Sequence, residues 1–293
     1  MNRKSFLLVL LAMLMSTAVK AATGDSFKVT TDGVEMSFVV LDATDKTVAV
    51  SGKTVETDAE ENVTTVYLPA ISTTQTGGVT IPQSVRYSNV NYTVVRIDEN
   101  AFAGCTAMTS VFIPSTIQSI GQSAFAGCSG LLKISCYVAT PFTFEANAFD
   151  GISSSCQLFV PFQSADAYTG AGWSTQVFHG GITPIIAFAD MTVRSLCVSN
   201  WDANSDGELS RAEAAAVKDI GTVFNRKEKI TSFDELEYFT GISDIKYSAF
   251  FYCNYLKSIK IPEGVVIIGE MAFSVCSRLQ SCLLPSTLQI IKN

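Results

Sequence analysis

A block of about 23 residues recurs along this chain, and it limits the possible folds more than any other feature. Ala101-Phe102, Ala124-Phe125 and Ala148-Phe149 lie 23 and 24 residues apart, and Ala249-Phe250 and Ala272-Phe273 lie 23 apart. Cysteine follows four of these phenylalanines at the third position, as Cys105, Cys128, Cys253 and Cys276. Met108-x-x-Val111-x-Ile113-Pro114 and Leu256-x-x-Ile259-x-Ile261-Pro262 then share one frame, which Leu279-x-x-Cys282-x-Leu284-Pro285 also fits. Ile120-Gly121 and Ile268-Gly269 precede the next Ala-Phe.

Such a period predicts a solenoid. One coil cannot bury its own apolar face, so stability comes from stacking coil on coil. Phenylalanine at a fixed position builds a continuous ladder, and alanine beside it leaves room for the ring. Gly104 and Gly127 permit a tight corner. Pro114, Pro262 and Pro285 lack an N–H and mark where strand pairing stops. The frame resembles the BspA-like (Treponema-type) leucine-rich repeats of exported and surface proteins of Bacteroidetes. That resemblance implies protein binding or adhesion at a cell surface, without catalysis. Ile152 stands where the third copy departs from the cysteine. Leu158 to Pro161, followed by Tyr168, Trp173 and Phe178, resembles the turn that closes such arrays.

The expected fold is a β-rich α/β chain: a leucine-rich-repeat solenoid in two arrays, with an N-terminal β cap and a short helical EF-hand-like insert. Residues 1–21 read as a signal peptide, with a basic Asn2-Arg3-Lys4 start and an apolar run from Phe6 to Met15, shorter than the roughly 20 residues of a spanning helix. Residues 22–90 form the cap, where Val29, Val34, Met36, Phe38 and Val40 alternate with polar neighbours as antiparallel strands do. Residues 91–185 are the first array, 186–231 the helical linker, and 232–293 the second array, which stops in mid-repeat. Ser232 and Glu235 predict a capped short helix bearing Phe233, Leu236 and Phe239.

The formal charge of −7 becomes −10 once Arg3, Lys4 and Lys20 are removed, and it excludes a basic footprint for nucleic acid. The signal predicts a mature chain outside the cytoplasm (extracellular, on the cell surface or in the periplasm), and since no second run of spanning length follows, that chain is expected to be soluble. The single histidine, His179, sits beside Gly180-Gly181, which argues against a metal site of several histidines and against a Cys156–His179 pair. No enzyme is expected. Asp58, Glu60 and Glu61 read as a solvated turn. Eight cysteines in an exported chain raise the question of disulfides. Equivalent residues on adjacent coils lie about 4.8 Å apart with parallel side chains, whereas a disulfide needs converging Cβ atoms about 3.8 Å apart. The repeat cysteines, with Cys136 and Cys282 at inward strand positions, are therefore expected as buried free thiols.

One segment carries a chemical motif. Asp202, Asn204 and Asp206 alternate; Gly207 permits a bend, Glu208 offers its main-chain carbonyl, Ser210 a water-bridged position, and Glu213 both carboxylate oxygens. Hard oxygen donors in this order suit calcium. Val193, Leu196, Cys197 and Trp201 share one helical face before the loop, and Ser210 with Glu213 makes a capping box for a helix from Arg211 to Ile220. The loop resembles an EF-hand or half a dockerin. Lacking a second loop, it predicts an affinity of about micromolar or weaker.

Two functions follow. The first is protein binding or adhesion, to host matrix or mucosal proteins, through strand positions on the open side. These are Ser110, Phe112, Lys133 and Ser135 in the first array, and Ser258, Lys260, Ser281 and Leu283 in the second, with Phe112 and Leu283 as anchors. The alternative is a scaffold component docking a partner through the calcium loop.

Overall fold

A computed structural model of the chain describes residues 21–57, 63–142, 144, 145, 147–171, 173 and 178–293. The signal segment, apart from Ala21, and the acidic run at 58–61 lie outside the described residues. The chain divides into two compact units, 1–160 with 164–183, and 161–163 with 184–293.

In the first unit, two-residue turns set the cap. β1 (Ser26–Thr31) pairs antiparallel with β2 (Val34–Asp42), with Thr31 opposite Val34. Asp32 and Gly33 between them both have positive φ, the geometry whose twist suits a tight hairpin. β3 (Thr47–Val50) pairs with β2, and β4 (Thr54–Thr57) forms a separate hairpin with β5 (Val63–Val66). β6 (Gly77–Thr80) leaves the cap to join the repeat sheet. β7 (Ser84–Tyr87) and β8 (Val90–Ile97) turn at Ser88-Asn89, again with positive φ, and β8 pairs in parallel with β3.

The repeats then run in parallel. β9 (Met108–Ile113) pairs with β6 and with β11 (Lys133–Cys136), and β11 with β12 (Gln157–Pro161). β10 (Ser119–Ile120) extends the cap sheet from β8. α1 (Ala165–Gly170) buries Tyr168, whose hydroxyl donates to the Val138 carbonyl at 2.9 Å. β13 (Ile182–Ile185) lies beside β12 and finishes the five-stranded sheet. The rings of Phe102, Phe125 and Phe149 stack with centroids 4.9 and 5.3 Å apart and planes within 2°. Identical residues at one frame position meet because the pairing is parallel and in register.

The second unit has its own core. α2 (Met191–Trp201) buries Val193 and Cys197, and α3 (Arg211–Ala216) follows the acidic loop. β14 (Ser232–Phe233), β16 (Ser258–Lys260) and β18 (Ser281–Leu283) form one parallel sheet. β15 (Asp244–Ile245), β17 (Ile267–Ile268) and β19 (Ile290–Ile291) form another. Phe224, Phe250 and Phe273 stack at 5.4 and 5.2 Å.

Three local expectations are corrected. The ladder starts at Phe224, inside the expected linker, because Ile220-Gly221-x-Val223-Phe224 opens a coil one residue shorter than the frame, in which valine and Lys227 replace alanine and cysteine. α3 ends at Ala216 and not at Ile220; Val217 turns extended, and the Asp219 carboxylate takes the Gly221 N–H at 2.7 Å, a local alternative to helix bonding. The short helix expected after Ser232 is a strand followed by a 3-10 turn over Asp234–Tyr238. Its Glu235 accepts the distant Ala189 N–H instead of capping. Phe233, Leu236 and Phe239 are nonetheless buried.

All eight cysteines are free. The repeat thiols do more than fill space: Cys128 donates to the Phe102 carbonyl at 3.0 Å, Cys253 to Phe224 at 3.1 Å and Cys276 to Phe250 at 3.1 Å. Each ties one coil to the coil before it. Cys282 is exposed, contrary to expectation, although parallel pairing sets it beside the buried Ile259 of the coil before.

Candidate functional site

The acidic loop is held from both ends. Asp190 caps α2 by accepting the Thr192 and Val193 N–H groups, and its second oxygen accepts the N–H and hydroxyl of Thr231 at 2.7 and 2.8 Å. Leu209 is buried and its carbonyl accepts the Ile186 N–H at 2.8 Å, anchoring the far side of the loop. Between these anchors the chain turns sharply, with positive φ at Ser205 and Gly207.

The side chains expected to bind an ion line one loop, and each accepts hydrogen bonds from that loop's own main chain. Asp202 accepts the N–H groups of Asp206 and Gly207 at 3.2 and 2.8 Å. Asn204 accepts the Asp206 N–H at 3.0 Å, and Asp206 accepts the Glu208 N–H at 2.8 Å. Glu213 spans the loop, one oxygen taking the Ala203 and Asn204 N–H groups and the other the Ser210 N–H and hydroxyl. Burial opposes its ionisation, but the donors from Ser210, Asn204 and Ala203 together hold its carboxyl below the usual carboxylate range. Among the described residues, no three His, Cys, Asp or Glu side chains gather in the way a metal ion would require.

Glu208 points elsewhere. Its carboxylate is 1% exposed and takes a two-pronged contact from Arg194, at 2.7 and 3.2 Å, while the same guanidinium reaches the Gly207 carbonyl at 2.7 Å. Arg194 was not legible as a site residue, since no spacing rule links a mid-helix arginine to a loop glutamate. Removing the ion pair's cation would leave a buried charge.

The expected partner rows divide. Register places Ser110 beside Lys133 and Phe112 beside Ser135, and in the second unit Ser258 beside Ser281 and Lys260 beside Leu283. Phe112 and Ser135 are corrected: they are 8% and 3% exposed and offer no open surface. The Tyr137 ring closes edge-on over Phe112 at 4.7 Å, and Ser135 is flanked in the row by Phe112 and Phe159. Lys133 lies 4.6 Å over the Phe159 ring. Ser281 is open and Leu283 is 59% exposed, while Lys260 is ion-paired to Glu237 at 3.2 Å. Cys156, the one thiol weighed against His179, is buried, and burial pushes it up to about 12, the wrong direction for a thiolate nucleophile.

Among the described residues, no helix is long and apolar enough to cross a membrane. No match is found among curated proteins. Among solved structures, a leucine-rich cell surface protein of Faecalibacterium prausnitzii is 17% identical with a TM-score of 0.23, over 92% of this chain and 52% of that one. This chain thus spans about half of that protein's length. A leucine-rich-repeat protein of Bacteroides ovatus is 16% identical with a TM-score of 0.22, over 82% and 88%. The leucine-rich-repeat protein of T. pallidum is 18% identical with a TM-score of 0.20, over 78% and 87%. TM-scores this low carry no structural weight. The family model described as the BspA type leucine-rich repeat region matches six copies, over residues 80–169 and 222–293, more than half of the sequence. The chain therefore belongs to the BspA-type leucine-rich-repeat family.

Proposed function

We infer that this is an exported or cell-surface protein whose two solenoid arrays bind other proteins, including host matrix or mucosal surfaces, without catalysis. The observation that carries this reading is the in-register strand row in which Ser258 lies beside Ser281 and Lys260 beside Leu283, a regular face of the parallel sheet. Exposed apolar groups on a regular face supply contact area, and a solenoid supplies length. Calcium is the proposed ligand of the loop, held by Asp202, Asn204, Asp206, the Glu208 carbonyl, Ser210 and Glu213. Bound there, it would supply fixed positive charge and stiffen the segment; no chemical step is assigned to it. In support, the donors are hard oxygens already aimed by main-chain N–H groups.

The test is capture of the mature chain on immobilised matrix proteins and on mucin, with and without chelator. Binding is expected for the wild type and expected to fall by about tenfold in Leu283→Asp, with unchanged melting. Equal binding by the variant removes this row from the interface. No capture on either surface overturns the reading.

A further inference from the structure

The second unit carries a second edge, formed by the corners that lead into β14, β16 and β18. Arg226, Tyr252 and Val275 each stand two residues after a ladder phenylalanine. Lys229, Tyr255 and Arg278 each precede the inward apolar residue of their coil, Ile230, Leu256 and Leu279. Main-chain bonds keep these coils in step: the Arg226 N–H donates to Phe251, Tyr252 to Ser274, and Lys257 to Thr231, at 2.8 to 2.9 Å. The Arg226 guanidinium lies 5.4 and 5.6 Å from the rings of Phe251 and Tyr252, and that of Arg278 lies 4.2 Å over Tyr255. First-unit equivalents are Gly104, Gly127 and Gly151, then Ala107, Gly130 and Ser155, all small and uncharged.

We propose that this edge docks an acidic polypeptide segment of a partner protein. The proposal rests on the protein-binding reading and specifies the chemistry of the partner. Arg226, Lys227, Lys229, Lys257 and Arg278 are exposed, and among the described residues none has a carboxylate within ion-pair distance, although the chain as a whole is acidic. Glu228 is the single acid among them. Elsewhere in this unit Lys246 and Lys260 are paired, to Asp244 and Glu237, and Lys218 and Lys292 are isolated along the sequence, so what sets the edge apart is five cations recurring in the repeat frame. A guanidinium stacked by its face on a ring keeps its in-plane N–H fork for a carboxylate. Tyrosine adds rigid contact area, and tyrosine and arginine are the side chains that dominate protein interfaces. The backbone agrees: φ is +55° at Arg226, +64° at Tyr252 and +62° at Val275, positions that a glycine would hold without strain. Strain kept to display large side chains marks functional surfaces. A long uniform polyanion is disfavoured, because the remaining negative charge repels whatever extends beyond the patch.

The experiment measures binding of a fluorescent oligoglutamate peptide to the mature full chain at physiological salt. Arg226→Gly, Lys229→Ser and Arg278→Ser are combined in one variant, the glycine relieving the corner so that folding is retained, as circular dichroism checks. Affinity should fall about tenfold or more. A control that removes the same charge from the first unit, Lys28→Ser with Lys46→Ser and Lys53→Ser, should bind as the wild type does. Equal loss in the control, no loss in the edge variant, or heparin bound more tightly than the peptide would each overturn the proposal. If matrix proteins are captured equally by wild type and edge variant, this edge fails while the protein-binding reading stands. If no protein is captured at all, both fail.

Discussion

One coil corner is built in two ways within the same chain. In the first unit it is a column of glycines, with φ of +74°, +74° and +73° at Gly104, Gly127 and Gly151. A Cβ on Gly151 would sit 3.5 Å from the Gly127 main chain, so these corners stack closely. In the second unit the same left-handed turn carries Arg226, Tyr252 and Val275. A left-handed residue with a Cβ costs roughly 1–2 kcal/mol, and a β-branched one is a genuine outlier. The coil geometry is therefore imposed by stacking and does not depend on the corner residue. What the corner residue decides is how much stability is left over and what the edge presents.

If stacking imposes the coil, cutting the ladder should have the largest effect, and should have it in both units alike. Phe125→Ala and Phe250→Ala each remove a fully buried ring from the middle of a stack. Each should cost about 3–5 kcal/mol. Chemical denaturation followed by tryptophan emission separates the units, since Trp173 packs in the first core and Trp201 against the second. Each substitution should lower the transition of its own unit. A shared loss in both transitions from either change would mean that the two ladders are not independent.

Calcium should distinguish the units next. At about a hundredfold excess over its Kd a ligand specific to the native state adds about 2.7 kcal/mol. The loop lies wholly in the second unit, so only that unit's transition should rise, and Asp202→Ala should abolish the rise. A rise retained in Asp202→Ala would remove the loop as the site.

Periodicity made much of this legible. Ala-Phe spacing located the ladder positions, and the proline after each strand located where pairing ends. It missed the coil at Phe224, because the frame was tracked through alanine and cysteine while stacking requires only the aromatic ring. It misplaced Phe112, because alternation says which way a side chain points and not whether Tyr137 from the next coil covers it. Cys282 failed in the opposite sense: the frame position that is buried at Ile259 is exposed there. The acidic loop was legible in its spacing, whereas Arg194 was not, since its contact with Glu208 depends on how α2 lies across the loop.

The smallest effect tests the corners directly, by exchanging their residues. Val275 is 46% exposed and makes no ring contact, so Val275→Gly removes left-handed strain with little loss of packing. Relief of about 1–2 kcal/mol is partly offset by the freedom glycine adds to the unfolded chain, about 0.4–1 kcal/mol. The net expectation is a gain of about 1 kcal/mol or less in the second unit. Gly127→Val should do the reverse in the first, since its nearest neighbour, the Gly104 main chain at 3.8 Å, leaves room for a Cβ but not a comfortable φ. Opposite signs in the two units would show that the second tolerates a cost at its corners which the first avoids. Destabilisation by Val275→Gly would instead mean that the valine side chain makes contacts worth more than its backbone strain, and the corner would then belong to the core and not to an interaction edge.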